Sequence, residues 1–339
     1  HYPHLFVSLC FVSHNRRQTK HVFVKPSAAP NSFGLCRGEK MSVENKPKYY
    51  VIMWKFLQPA AHKPELPAEK VDKEYSRLRR QVFWGIFIGY AGYYLVRKNF
   101  SIAMPALESM GYDKADLGWA LSAVSIAYGI SKFVMGTVSD RSNARVFLPL
   151  GLVLSALVTM FLGTSAGISS IVMMFITQFL IGWFQGMGVP PCTRLMTHWI
   201  VPERLATKMS VWNTSHSIGA GLAIIFCGYV VSLNWGAWFD ASSILSQHWR
   251  WCFLLPATIA ILGAAVVWAF VRDTPSSVGL PELKTGKAAP ADAKPHTKAE
   301  QKAEHKAFLR RKVFLNPTIW IIAVGNFFVY IVRFAVLDW

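Results

Sequence analysis

Long apolar runs separated by polar connections dominate the chain, falling at 83–105, 117–138, 146–166, 171–190, 209–233 and 251–271, with a seventh from 318 to 339. Each of the first six holds about 20 residues, enough at 1.5 Å per residue to cross a hydrocarbon layer of about 30 Å as a helix. The runs are continuous rather than alternating, so they predict helices and not the strands of a barrel. The seventh is expected to be either cut off or only just complete at Trp339.

The polar connections differ in charge, and the difference predicts an orientation. Lys55, Lys63, Lys70, Lys73, Arg77, Arg79 and Arg80 precede the first run. Arg141 and Arg145 stand in the second connection, Arg204 and Lys208 in the fourth with Arg194 just before it, and the sixth, 272–312, is rich in Lys and Arg. The first connection has Lys114 among Glu108, Asp113 and Asp116, while the third (167–170) and fifth (234–248) have neither Lys nor Arg. Basic residues collect on the cytoplasmic side, which predicts a cytoplasmic N-terminus and cytoplasmic even-numbered connections.

Composition agrees with this layout: 53% of residues are hydrophobic and 16% charged, against about 25% charged in an ordinary soluble domain. The formal charge of +18 could mean nucleic acid, a membrane surface or anionic substrates. Its confinement to connections favours topology, and no basic soluble module suggests nucleic-acid binding. Cys10, Cys36, Cys192, Cys227 and Cys252 show neither CxxC nor CxxH spacing, so neither a metal site nor a disulfide framework is expected. The last three lie in or beside apolar runs, where a thiol behaves as a small hydrophobe.

The expected organisation is an all-α membrane protein. Residues 1–52 form a disordered or spurious upstream extension, with Met53 the better start candidate and Met41 the other, and 53–81 form a cytoplasmic N-terminal segment. A six-helix bundle follows over 82–272, a cytoplasmic linker over 273–313, and the seventh helix over 314–339. An internal repeat supports two halves: Gly89-Tyr-Ala-Gly-Tyr-Tyr94-Leu-Val-Arg97 returns as Gly325-Asn-Phe-Phe-Val-Tyr330-Ile-Val-Arg333. Parallel repeats of this kind place substrate sites between the halves near mid-membrane.

Arg97 lies about fourteen residues into the first run, roughly 20 Å along a helix. A guanidinium at that depth costs about 2.5–3.5 kcal/mol if it faces lipid, so it is expected to face the interior unless it snorkels or forms a fixed ion pair. Tyr90, Tyr94 and Arg97 follow i, i+4, i+7 spacing, which places them on one stripe of a continuous helix. Tyr330 and Arg333 repeat the last step. A guanidinium presents a fork of donors matched to phosphate or carboxylate, and two of them suit a dianion such as phosphate. Lys98 either adds field or reaches for water. Tyr128 and Lys132 aim a hydroxyl and a cation along one face at i, i+4, with snorkelling as the alternative for Lys132. His216, one turn after Asn213 and before Gly219 and Gly221, is either a site residue or a helix-packing histidine. His198 reads as solvated. Pro190-Pro191, after Gly186 and Gly188, interrupts the fourth run. No nucleophile, base and orienter set, metal spacing or phosphate-binding Gly loop points to an enzyme, and no cofactor is expected.

Several stretches resemble the organophosphate:phosphate antiporter branch of the major facilitator superfamily. They are Tyr94-Leu-Val-Arg-Lys-Asn-Phe100, Gly136-Thr-Val-Ser-Asp140-Arg141-Ser-Asn-Ala-Arg145, Gly182-Trp-Phe-Gln-Gly-Met-Gly188 with Pro190-Pro-Cys192, and Val211-Trp-Asn-Thr-Ser-His216. The resemblance runs from Met53 to Trp339. It implies twelve helices in two bundles, of which this chain holds the first bundle and the seventh helix, the C-terminal bundle being truncated. It implies rocker-switch exchange of an organic phosphate, glycerol-3-phosphate in the first instance, for inorganic phosphate, with hexose-phosphate exchange or a sugar-phosphate sensor as alternatives.

Carried onto this chain, the resemblance makes Arg97 and Arg333 the phosphate-binding arginines, with His216, Lys132, Tyr90, Tyr94 and Tyr330 around them. It makes Asp140, Arg141 and Arg145 a gating loop. It further implies a monomer when full length, a lipid bilayer as surroundings and the bacterial inner membrane as location, and no transport by this length of chain alone. Two positions depart from the pattern: Val189 stands where a Trp is expected, and Ser217 follows His216 where Asn is usual.

Overall fold

The computed structural model describes residues 55–233, 246–283 and 315–338, with side chains at 56–233, 246–283 and 315–332. The expectations for 1–52, for 284–313 of the linker and for the side chain of Arg333 lie outside these residues. The chain divides into one unit ending at Glu282 and another beginning at Leu283. The first unit contains α1 (Ala68–Leu95), α2 (Asn99–Ser109), α3 (Lys114–Ser139), α4 (Ala144–Leu162), α5 (Ile171–Gln185), α6 (Val189–Trp199), α7 (Pro202–Ser232) and α8 (Trp251–Phe270). The second contains α9 (Pro317–Asp338), and no strand occurs among the described residues.

Local chemistry sets the helix starts. The Asp113 carboxylate accepts from the Ala115 amide at 3.0 Å, the Asn143 side-chain oxygen from Arg145 N–H at 3.0 Å and the Ser170 hydroxyl from Met173 N–H at 3.2 Å, capping α3, α4 and α5. Pro202 opens α7 at a position where its missing N–H costs nothing. In the second unit, Asn316 Oδ1 accepts from Thr318 N–H at 3.1 Å at the start of α9.

Among the described residues, five helical stretches are long and apolar enough to cross a membrane: Lys114–Ser139, Ala144–Leu162, Ile171–Trp199, Pro202–Ser232 and His248–Phe270. The first apolar run is instead shared between the last half of α1 and the first seven residues of α2. Phe133, Ile225 and Leu262 are 84%, 72% and 64% exposed, and a surface this apolar requires lipid or another protein face around it. The interior side of the bundle is filled by Phe100, Leu107, Leu117, Leu162, Met174 and Phe253 from α2, α3, α4, α5 and α8.

Two apolar runs contain a break. Between α5 and α6 the cause lies in the sequence: Pro190 and Pro191 supply no amide hydrogen to the preceding turn, and Gly186 and Gly188 flank the gap. Between α1 and α2 no Pro or Gly is present. There the Arg97 amide donates to the Tyr94 carbonyl at 3.3 Å instead of continuing the i→i−4 ladder, which releases the Tyr93 carbonyl. Gln185, the last residue of α5, donates to that carbonyl through Nε2 at 3.2 Å, so each break is held by the other. The Tyr93 hydroxyl meanwhile donates to the Leu148 carbonyl in α4 at 2.7 Å.

Glycines permit the close crossings. A Cβ on Gly219 of α7 would collide with the Ala91 backbone of α1, and one on Gly182 of α5 with the Val124 backbone of α3, whereas one on Gly221 would meet nothing. Gly219→Ala and Gly182→Ala in the full-length protein are each expected to cost about 1–3 kcal/mol. Thermal melting in detergent reads this as a lowered midpoint for both variants, with Gly221→Ala close to the parent.

At the end of the bundle where α3 meets α4, Asp273 is buried to 1% side-chain exposure and pairs with Arg194 of α6 at 3.4 Å. Its carboxylate accepts from Ala144 N–H at 2.9 Å and Ala60 N–H at 3.3 Å. Arg194 also donates to the carbonyls of Ser139, at 2.8 Å, and Ser142. One carboxylate thus joins the segment before α1, the start of α4 and α6.

Candidate functional site

The break after α1 leaves Arg97 in the turn between two helices rather than on a helical stripe. The i, i+4, i+7 argument assumed an unbroken helix, and the structure alters it: the guanidinium folds back over its own helix end. Its Nη1 lies 3.5 Å from the Tyr94 hydroxyl, and its Cζ is 5.3 Å from the Tyr94 ring centre and 4.3 Å from that of Tyr128 in α3. Lys132, one turn along α3, places Nζ 4.2 Å from the same Tyr128 ring. Two cations therefore share one aromatic ring, each within the roughly 6 Å over which a ring quadrupole attracts a cation. Among the described residues neither has a carboxylate partner.

The tyrosines continue the cluster to α7. Tyr90 meets Tyr94 edge to face at 5.5 Å and stacks on Trp212 at 4.6 Å. The His216 ring lies 5.3 Å from Tyr94. His216 Nδ1 is hydrogen-bonded to the Asn213 carbonyl one turn earlier, and Nε2 lies 3.3 Å from the Ser217 hydroxyl. Tyr90, Trp212 and His216 are all buried. Their approach depends on the Gly219–Ala91 crossing, which brings α7 against α1 just beside them.

Five of the seven proposed binding residues, Arg97, Lys132, Tyr90, Tyr94 and His216, therefore converge in the first unit. Tyr330 lies on α9 in the second unit, 45% exposed, and Arg333 lies outside the described side chains. Among the loop residues, Asp140 and Arg141 are exposed, while Arg145 donates to the Trp268 carbonyl at 3.0 Å with its guanidinium 4.5 Å from the Trp268 ring. A cleft of about 540 Å³ is lined by Lys132, Asp140, Pro190, Thr193 and Arg194 among others. Lys132 belongs both to this cleft and to the cationic cluster.

Trp212, Gln185 and Asp273 were not reached by sequence reasoning. Trp212 had a signal, since it stands four residues before His216 and so shares its helical face. Gln185 could have been suspected as a buried amide beside an expected break. Asp273, just after the sixth run, looked like one more charge of a polar linker.

These elements make a multi-spanning α-helical membrane bundle with a cationic, tyrosine-lined cluster in which Arg97 is half-buried and Lys132 exposed. The chain belongs to the major facilitator superfamily, whose family profile, Major Facilitator Superfamily, matches residues 86–338. Among curated relatives, a glycerol-3-phosphate transporter of Bacillus subtilis (strain 168) is 45% identical over 85% of this chain and 62% of its own length. A probable hexose phosphate transport protein of Chlamydia pneumoniae is 39% identical with the same coverages, 85% and 62%. A membrane sensor protein of Escherichia coli (strain K12) is 32% identical, again over 85% of this chain and 62% of its own length. The chain thus spans less than two thirds of the length of these relatives. Among solved structures, a bacterial homologue of the human lysosomal transporter Spinster, inward-facing and unoccupied, matches with a TM-score of 0.52 at 20% identity, over 73% of this chain and 51% of that one. That likeness concerns the fold alone.

Proposed function

We propose that the full-length protein is a secondary transporter that exchanges glycerol-3-phosphate for inorganic phosphate by alternating access. The observation that carries this reading is the pair Arg97 and Lys132, held at 4.3 and 4.2 Å from one tyrosine ring with no carboxylate to neutralise them among the described residues. Cations in an apolar bundle demand a counter-charge, and a phosphate supplies it while accepting hydrogen bonds from the guanidinium fork and from nearby hydroxyls. In this reading Arg97 grips the phosphate from the first half and Arg333 from the second. Lys132, His216, Tyr90, Tyr94 and Tyr330 surround it, and Asp140, Arg141 and Arg145 gate it.

The six-helix bundle over 82–272 then forms one rocking half, joined through a cytoplasmic linker to a second half that starts at 314. The N-terminus faces the cytoplasm, and the protein works as a monomer in the bacterial inner membrane. The choice of glycerol-3-phosphate over a hexose phosphate leans on the greater identity to the first relative, since a phosphate grip would be common to both substrates.

Reconstitution of the full-length protein in liposomes tests this. Labelled glycerol-3-phosphate is expected to enter vesicles loaded with inorganic phosphate at least tenfold faster than vesicles without it, and faster than labelled glucose-6-phosphate. Equal uptake with and without internal phosphate would refute exchange. Faster uptake of glucose-6-phosphate would move the assignment to a hexose-phosphate exchanger, and binding without flux to a sensor.

A further inference from the structure

Away from the cationic cluster, α7 and α8 bring two thiols together. Cys227 lies near the end of α7 and Cys252 is the second residue of α8, and both are fully buried. Each Sγ lies 3.8 Å from the backbone carbonyl of the other cysteine. Asn99 Nδ2 of α2 also donates to the Cys252 carbonyl, so the backbone on that side is pinned. Sequence spacing did not reveal this pair, because the cysteines are separated by a connection between two antiparallel helices.

We propose that Cys227 and Cys252 form a redox site: a dithiol that closes to a disulfide between α7 and α8. Reciprocal sulfur-to-carbonyl contacts of 3.8 Å bring both side chains to one point, the proximity that a disulfide between two helices requires. Burial in apolar surroundings determines the oxidant, which has to be a small, uncharged two-electron acceptor that enters the bilayer. A lipid-soluble quinone would take two electrons and two protons and leave as the hydroquinone. Diamide performs the same conversion in a tube. One sulfur adds to its N=N bond, the second sulfur attacks the first, the S–N bond breaks as S–S forms, and both protons leave on the hydrazine. The closed loop ties the far end of α7, the helix that carries Trp212 and His216, to α8.

The experiment treats full-length protein in membranes with diamide, blocks remaining thiols with a maleimide after denaturation, and maps peptides by mass spectrometry without reduction. A peptide pair joined through Cys227 and Cys252 is expected, lost in Cys227→Ser and in Cys252→Ser. Closing the loop is expected to raise the melting midpoint of the purified protein by about 5 °C, reversed by a reductant. Recovery of both cysteines as maleimide adducts from diamide-treated protein, or of either joined to a different cysteine, would overturn the proposal. The peptide map is made on the unsubstituted protein, so the result stands even where a serine variant folds poorly.

Discussion

Arg97→Lys in the full-length protein is expected to weaken phosphate binding on the order of 100-fold, about 3 kcal/mol, although the charge is retained. Lysine keeps the point charge but loses the planar fork, and with it both the bidentate grip on an oxyanion and the flat face that lies against Tyr128 at 4.3 Å. Tyr128→Phe is the informative comparison. It keeps the ring that both cations contact and removes only the hydroxyl, so its effect is expected to be a few-fold. Phosphate counterflow and direct binding in proteoliposomes measure both variants. An Arg97→Lys protein with parental phosphate affinity would remove Arg97 from the site.

The second large effect falls on a different contact. Asp273→Ala leaves the Arg194 charge partly buried without its partner and removes the acceptor that caps α4 through Ala144. Breaking a buried pair from one side costs about 3–5 kcal/mol, equivalent to a fall of about 10 °C in the melting midpoint of a domain this size. Asp273→Asn, which retains an oxygen for one of the two amides, is expected to lose less. Asp273→Ala combined with Arg194→Met should recover part of the loss, because no uncompensated charge remains. A midpoint for Asp273→Ala within a degree of the parent would show that the contact carries no stability.

The cationic cluster and the Asp273 contact share a physical logic. In the first, two positive groups are placed on an aromatic ring with no acid to neutralise them among the described residues, which leaves a demand for an anion. In the second, the Arg194 charge is met at once by a carboxylate and two backbone carbonyls, so the arrangement is structural. Arg97 and Arg194 look alike in the sequence, each a basic residue in or beside an apolar run. Only their surroundings separate them.

How much of this was legible in the sequence varies with the range of the interaction. The apolar runs predicted the helices closely: 117–138 became Lys114–Ser139, 251–271 became Trp251–Phe270 and 318–339 became Pro317–Asp338. Hydrophobic length is a local property, and membrane helices satisfy their backbone hydrogen bonds within the segment, so little else can override it. The interruption near Pro190 was equally local. The stretches carried by Arg97, His216 and Asp140 were enough to indicate the superfamily.

The break at Val96–Lys98 was not legible, because no residue there forbids a helix. It exists because the Tyr93 carbonyl finds Gln185 on another helix, 92 positions away in the chain. The convergence of Arg97 and Lys132 on Tyr128, the stacking of Trp212 on Tyr90, the partnership of Arg194 with Asp273 and the meeting of Cys227 with Cys252 are likewise contacts between helices. Periodicity along one helix says which residues share a face, but it is silent on which face of which other helix they meet. By itself the sequence determined where the apolar helices lie, the family and the residue types available for an anion. The tertiary structure alone decided which charges are neutralised, because neutralisation depends on packing between segments that sequence spacing does not relate.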